Sequence, residues 1–212
     1  MKKTRIGHIA LLMLAAFLLW TLAVCFIDVE AIGPNGTTVG FSTVNKFVHG
    51  LTGDNMTLYA ITDWLGLVPI AFVIGFAFFG LAQWIKRKRL SRVDRSILIL
   101  GVFYITVMVL YLLFEEVVIN YRPILINGNL ETSYPSSTTL LVACVMPTAV
   151  MQLNFRIKNG IIKKSVTLLI TAFIVFMILG RLISGVHWLS DIVGGVLLSA
   201  GLVLGYYSIC KF

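Results

Sequence analysis

Residues 96–118 read SILILGVFYITVMVLYLLFEEVV, with no charged side chain between Arg95 and Glu115. A bilayer's hydrocarbon core is about 30 Å thick and takes about 20 mainly apolar residues in a helix to cross, which this run supplies. Around it the chain repeats the pattern. The expected spans are Ile6–Ile27, Leu58–Ile85, Ser96–Val118, Ser137–Leu153, Val166–Leu182 and Asp191–Cys210. Of the 212 residues, 58% are hydrophobic and 12% charged, about half the charged share of a soluble domain. So much apolar surface must face lipid. The expected fold is all-α: a six-transmembrane-helix bundle forming one integral membrane domain over residues 1–212, with no stretch left for a separate soluble domain.

A net charge of +8 often signals nucleic acid, but here the basic residues fall in short clusters between apolar runs. That pattern is topology, and no nucleic-acid partner is expected. Six spans put Lys2, Lys3, Arg5, the run from Lys86 to Arg95, Arg156, Lys158, Lys163, Lys164 and Lys211 on one side. Only Lys46, Arg122 and Arg181 of the 17 basic residues fall on the other. The Lys/Arg-rich side is cytoplasmic by the positive-inside rule, so both termini are expected there. The expected location is multi-pass in a bacterial plasma membrane. The first span lacks an A-x-A site before Asp28 and Glu30 and reads as uncleaved.

Smaller features fit the same frame. Phe41, Val44, Val48 and Leu51 recur at helical steps in the first outer loop, which suits an interfacial amphipathic helix or, equally, a packed loop. Cys25, Cys144 and Cys210 show no metal or disulfide spacing and read as packing residues. Trp20, Trp84 and Trp188 read as interfacial belt residues. Gly201 and Gly205 form a GxxxG pattern suited to close packing within the bundle, with a homodimer contact as the second reading.

The polar oddities gather on the outer side. Arg122-Pro123 follows the third span, Tyr134-Pro135-Ser136-Ser137-Thr138 opens the fourth, and Arg181, His187 and Asp191 occupy the turn between the fifth and sixth. Ionisable groups at such depth are costly and default to function. Two arginines fork onto phosphate oxygens, and Ser136 and Ser137 stand where free N–H groups and a helix dipole meet an anion. His187 and Asp191 are four apart, so on a helix they share a face, and the carboxylate can hold one imidazole nitrogen. Ser184-Gly185 lets the chain turn before them.

Arg-Pro, then Pro-Ser-Ser-Thr, then Arg-x5-His-x3-Asp resembles the type 2 phosphatidic acid phosphatase (PAP2) family, which shares its site with vanadium haloperoxidases. The family signature is Lys-x6-Arg-Pro, Pro-Ser-Gly-His and Ser-Arg-x5-His-x3-Asp, here lying within residues 115–191. The resemblance implies that His187 attacks phosphorus to form a phosphohistidine and that Asp191 orients it. Arg122 and Arg181, with Ser136 and the N–H groups around Ser137, would cradle the phosphoryl group. It implies a metal-independent phosphatase with no cofactor, acting on a lipid phosphate or pyrophosphate such as phosphatidate, phosphatidylglycerol phosphate or polyprenyl pyrophosphate, at the outer membrane surface.

Two positions depart from that signature. Glu115 stands where the family has its lysine, and Thr138 where it has the histidine that protonates the leaving group. A carboxylate beside phosphate costs on the order of 4 kcal/mol at 4 Å with an effective dielectric of about 20, so Glu115 must point away, be protonated or pair with an arginine. Loss of a general acid costs about 10²- to 10⁴-fold in rate. Glu116 or water, for the proton, and Lys46, for the cation, are the candidate replacements. The alternative function is a catalytically impaired homologue that binds or relays anionic lipid phosphates. Gly180 in place of the third motif's serine is a milder change.

Overall fold

A computed structural model describes residues 3–210 of the chain. Lys2 and Lys211, which count toward the charge asymmetry, lie outside the described residues. The helices are α1 (Lys3–Phe26), α2 (Ser42–Thr52), α3 (Met56–Leu65), α4 (Leu67–Arg87), α5 (Arg95–Glu116), α6 (Ser137–Arg156), α7 (Gly160–Ile183) and α8 (Leu189–Ile209). Six helical stretches are long and apolar enough to cross a membrane, the second being α3 and α4 together over Met56–Arg87. Leu11, Leu18, Phe78, Ile105, Leu168 and Leu169 are among the large apolar side chains left exposed for lipid. The protein is an integral, multi-pass membrane protein.

The second span comprises two helices that meet at Gly66, which caps α3 and begins α4, so the first ten residues of the span form a segment of their own. This segment leans on α7. A Cβ built on Gly180 would stand 2.7 Å from Thr62 Cγ2, so the absence of a side chain there lets α3 close onto α7. Along the opposite side α1 packs on α8, Leu14 against Gly201, which places the GxxxG pattern inside the bundle.

The core is continuous through α1, α5, α6 and α8, with Leu100, Tyr104, Leu140, Cys144, Val145 and Tyr206 buried in it. Pro147 sits inside α6. It removes one backbone donor, which a helix walled by neighbours tolerates.

The outer loops are tied down rather than loose. α2 forms where the hydrophobic periodicity predicts a helix, and it turns Val44, Phe47 and Leu51 outward while burying Ser42 and Asn45. Asp28 caps it from a distance: its carboxylate accepts from the Thr43 N–H at 2.8 Å and the Ser42 hydroxyl at 2.9 Å. These donors favour the anion and hold the Asp28 carboxyl below its ordinary pKa. Asn45 then clamps α2 to the start of α8, accepting from the Ser190 N–H at 3.1 Å and donating to Ser190 Oγ at 2.9 Å.

Between α5 and α6 the chain makes a short hairpin. The Arg122 N–H donates to Glu131 O at 3.0 Å and the Ser133 N–H to Asn120 O at 2.9 Å. Asn127 and Gly128 turn it with positive φ at both positions, the backbone that an Asn-Gly hairpin turn uses. Trp188 is not a belt residue: it is buried and donates its Nε1–H to Tyr121 O at 2.8 Å, holding the hairpin against α8.

Candidate active site

His187 lies in the turn before α8, not on the helix as its spacing to Asp191 suggests, and is 3% exposed. Two features fix that turn. Gly185 has φ +72°, and a Cβ there would stand 1.9 Å from Gly53 O, so no other residue fits. The Asp191 carboxylate caps the helix from its third position, accepting the Trp188 N–H at 2.9 Å.

Asp191 does not touch the imidazole directly; Nδ1 stands 3.9 Å from Oδ2. Ser133 bridges them. Its hydroxyl donates to Asp191 Oδ2 at 2.5 Å and lies 3.0 Å from His187 Nδ1. Because the hydroxyl proton is committed to the carboxylate, Nδ1 must carry the proton it shares with Ser133 Oγ. Asn120 donates to the other carboxylate oxygen, Oδ1, at 3.1 Å. On the far side of the ring, Nε2 faces Arg181 Nη2 at 3.2 Å. A guanidinium only donates, so Nε2 presents a lone pair. Both contacts select the same tautomer: proton on Nδ1, lone pair on Nε2 facing Arg181.

Burial, followed by the charges of Arg122 and Arg181, holds the imidazole well below its usual pKa; the Ser133 hydrogen bond opposes them. His187 is therefore neutral at pH 7, the state a nucleophile or base requires.

Arg181 and Arg122 are 1% and 8% exposed. Both lie over the Tyr59 ring, 4.9 Å and 6.0 Å from its centroid. Arg122 Nε pairs with Glu131 at 3.0 Å and Arg181 Nη1 with Asp63 at 3.6 Å. Arg122 Nη1 and Arg181 Nε and Nη1 are nonetheless buried without a hydrogen-bond partner. Unsatisfied buried donors are expensive, and these two side chains line a cavity of about 600 Å³. Ser137 and Thr138 line it too, and so do the carboxylates Asp63, Glu115 and Glu131.

Ser136 is turned elsewhere. Its hydroxyl accepts from the Thr139 N–H at 3.4 Å and caps α6, and its own N–H donates to Asp191 O at 3.1 Å. Glu115 neither points away nor pairs with an arginine; it lines the cavity and accepts from Thr132 Oγ1 at 3.1 Å. Lys46 is exposed on α2 and does not line the cavity, so it does not replace the missing cation, and Glu116 is exposed outside it.

Four residues of this arrangement, Tyr59, Asp63, Asn120 and Ser133, were not singled out by sequence. Asn120 and Ser133 flank the Arg-Pro and Pro-Ser motifs by two residues, a proximity that hints at their roles. Nothing local marks Tyr59 or Asp63. They reach the site through the packing of α3 on α7.

The architecture and cavity define a class: an integral membrane protein of six spans, with a cleft lined by arginines and carboxylates at one end of the bundle. Residues 116–211 match the PAP2 superfamily. Among solved structures the chain is similar to the transmembrane PAP2-type phosphatidylglycerolphosphate phosphatase from Bacillus subtilis, at 20% sequence identity over 94% of this chain and 93% of that one, with a TM-score of 0.58. The chain thus carries a PAP2 superfamily segment within a transmembrane PAP2 fold. No curated protein matches the sequence. Glu115 and all of α3 lie ahead of the matched segment.

Proposed function

We propose that this protein is a membrane phosphatase that moves the phosphoryl group of a lipid phosphate or pyrophosphate onto His187 and then onto water, at the non-cytoplasmic face. The observation that carries the reading is a neutral, buried histidine whose Nε2 accepts from Arg181, beside two guanidiniums with buried N–H groups that have no hydrogen-bond partner. A phosphoryl group supplies what those donors lack. Drawing Arg181 Nη2 onto its oxygens would free the Nε2 lone pair for attack.

In the first step Nε2 attacks phosphorus as the P–O bond to the leaving group breaks. The imidazolium that develops is stabilised through Nδ1, Ser133 and Asp191, a relay that also keeps the correct tautomer. Arg122 and Arg181 take the charge that builds on the phosphoryl oxygens, and the N–H groups at the start of α6 near Ser137 add to it. In the second step water attacks the phosphohistidine and releases phosphate. The apolar surface around the bundle and the cleft's position at its end favour an amphiphilic substrate. The Lys/Arg asymmetry of the loops supports an outward-facing cleft.

A second reading rests on Glu115 and Thr138, both in the cavity wall: a protein that holds lipid phosphate without turning it over. The purified protein, offered phosphatidate, phosphatidylglycerol phosphate and a polyprenyl pyrophosphate without added metal, separates the two. Phosphate release that is lost in His187→Ala supports the enzyme. Release that survives His187→Ala rules out the nucleophile. Tight lipid phosphate binding with no release favours the second reading.

A further inference from the structure

The family's proton donor is replaced by Thr138, whose hydroxyl cannot protonate an alkoxide at neutral pH, yet expulsion of an alcohol from a phosphate monoester needs a proton. This inference rests on the phosphatase reading and asks where that proton comes from. The geometry points to Asp63, on α3, as the general acid of the first step and the general base of the second.

Arg181 contacts both His187 and Asp63. Its two terminal nitrogens each face a different group: Nη2 lies 3.2 Å from His187 Nε2 and Nη1 lies 3.6 Å from Asp63 Oδ1. A phosphoryl group gripped end-on by both nitrogens would stand near the nucleophile and near the carboxyl group. In-line displacement puts the attacking atom and the leaving oxygen on opposite sides of phosphorus, the two places that His187 and Asp63 would take.

Three further observations single out Asp63 among the cavity's acids. Glu131 is paired with Arg122 at 3.0 Å, and Glu115 is engaged by Thr132 at 3.1 Å. The Asp63 contact is the loosest, and its side chain is 60% exposed and lines the cavity. Its placement is also built in. Gly180 stands where the family signature has a serine, and the missing side chain lets Thr62, the residue before Asp63, close to within van der Waals contact of α7.

The step balances. His187 Nε2 bonds to phosphorus, the P–O bond breaks, and the carboxyl proton of Asp63 goes to the departing oxygen, leaving an alcohol and a carboxylate. Water then attacks the phosphohistidine while that carboxylate takes its proton. Inorganic phosphate leaves, and neutral His187 and protonated Asp63 are restored.

The test compares leaving groups. Purified Asp63→Asn, native protein and His187→Ala are assayed with the best lipid phosphate from the panel, which expels an alkoxide, and with p-nitrophenyl phosphate, which expels a phenolate needing no proton. Asp63→Asn should lose about 10²- to 10⁴-fold in kcat on the lipid phosphate. On the aryl phosphate it should keep a nitrophenolate burst at a rate within about threefold of native, followed by a slowed steady state as phosphohistidine accumulates. Asp63→Glu should recover part of the lipid phosphate activity. Equal losses on both substrates would show that Asp63 merely positions Arg181, and native activity on the lipid phosphate would remove it from the mechanism. Should Asp63→Asn fail to fold, native protein decides across phosphates ranging from phenols to alkanols: a rate nearly independent of leaving group supports an acid, and a steep fall toward alkanols refutes one. Native protein inert on every phosphate would overturn the phosphatase reading instead, and Asp63 with it.

Discussion

Two arginine–carboxylate clusters stand at opposite ends of the helix bundle, and they differ in how deeply their arginines are buried and in what stands beside them. At the Lys/Arg-rich end, Asp94 accepts from Gln83 at 2.8 Å and Arg87 at 2.9 Å, and its own N–H donates to Gln83. Arg156 donates to the Gln152 backbone and side chain and lies 3.6 Å from Asp94. That cluster ties α4, α5 and α6 together, although Arg156 Nη2 is buried without a hydrogen-bond partner. At the other end Arg122 and Arg181 are more deeply buried, and Arg122 Nη1 and Arg181 Nε and Nη1 lack partners. Both clusters are built from arginine and carboxylate at helix ends. What separates them is burial and neighbours: Arg181 is 1% exposed and stands 3.2 Å from His187 Nε2, whereas Arg156 is half-buried beside Gln152 and Asp94.

The comparison breaks most severely if the two ends respond alike to substitution. Arg181→Gln should lower kcat/KM for phosphate release by about 10²- to 10³-fold, as removal of a preorganised charge at a transition state does. Its thermal unfolding should change little, because the residue it removes is under-partnered. Arg156→Gln should do the reverse, keeping activity within a few-fold while destabilising the fold by about 1–3 kcal/mol through the acceptors it strands. Parallel kinetics and thermal melts of the two variants read both effects.

Ser133→Ala sharpens the comparison inside the outer end. With the bridge gone, Nδ1 and Asp191 face each other across 3.9 Å, too far for a hydrogen bond. Turnover should fall by about 10- to 100-fold through loss of tautomer control, with substrate binding nearly unchanged; a rise in KM at constant kcat would count against the relay.

A smaller effect concerns pH. His187 is held below its ordinary pKa in the fold, while unfolded it titrates near 6.5. The unfolded state therefore binds the extra proton first, and this contribution to stability is complete above about pH 6.5 and lost as pH falls below it. Melting temperature measured across pH 5–8 should show that slope in native protein and a flatter one in His187→Ala. The smallest expected change is at the exposed Arg87–Asp94 pair, where Arg87→Ala should cost under about 1 kcal/mol.

Much of this was legible in sequence because lipid imposes a simple rule: apolar runs of about 20 residues become spans. Five of the six expected spans match single helices to within a few residues, apart from the longer start of α7, and α2 forms where Phe41, Val44, Val48 and Leu51 mark a helical step. The arginines, His187 and Asp191 were legible because charge at a membrane boundary is conspicuous. What spacing alone missed is the third dimension. The close approach of Thr62 to Gly180 carries Tyr59 and Asp63 onto Arg181. Ser133 reads as an ordinary loop serine until the hairpin pairs it with Asn120. Glu115 reads as interfacial until α5 delivers it to the cavity wall.

Trapping the covalent intermediate tests the central claim most directly. Native protein mixed with labelled lipid phosphate is quenched in alkali, where phosphohistidine survives, and digested for mass spectrometry. The account predicts a phosphoryl group on His187 that forms and decays fast enough to sustain turnover and is absent from His187→Ala. Phosphate released at the native rate with no phosphoenzyme, or with the label on another residue, would contradict it.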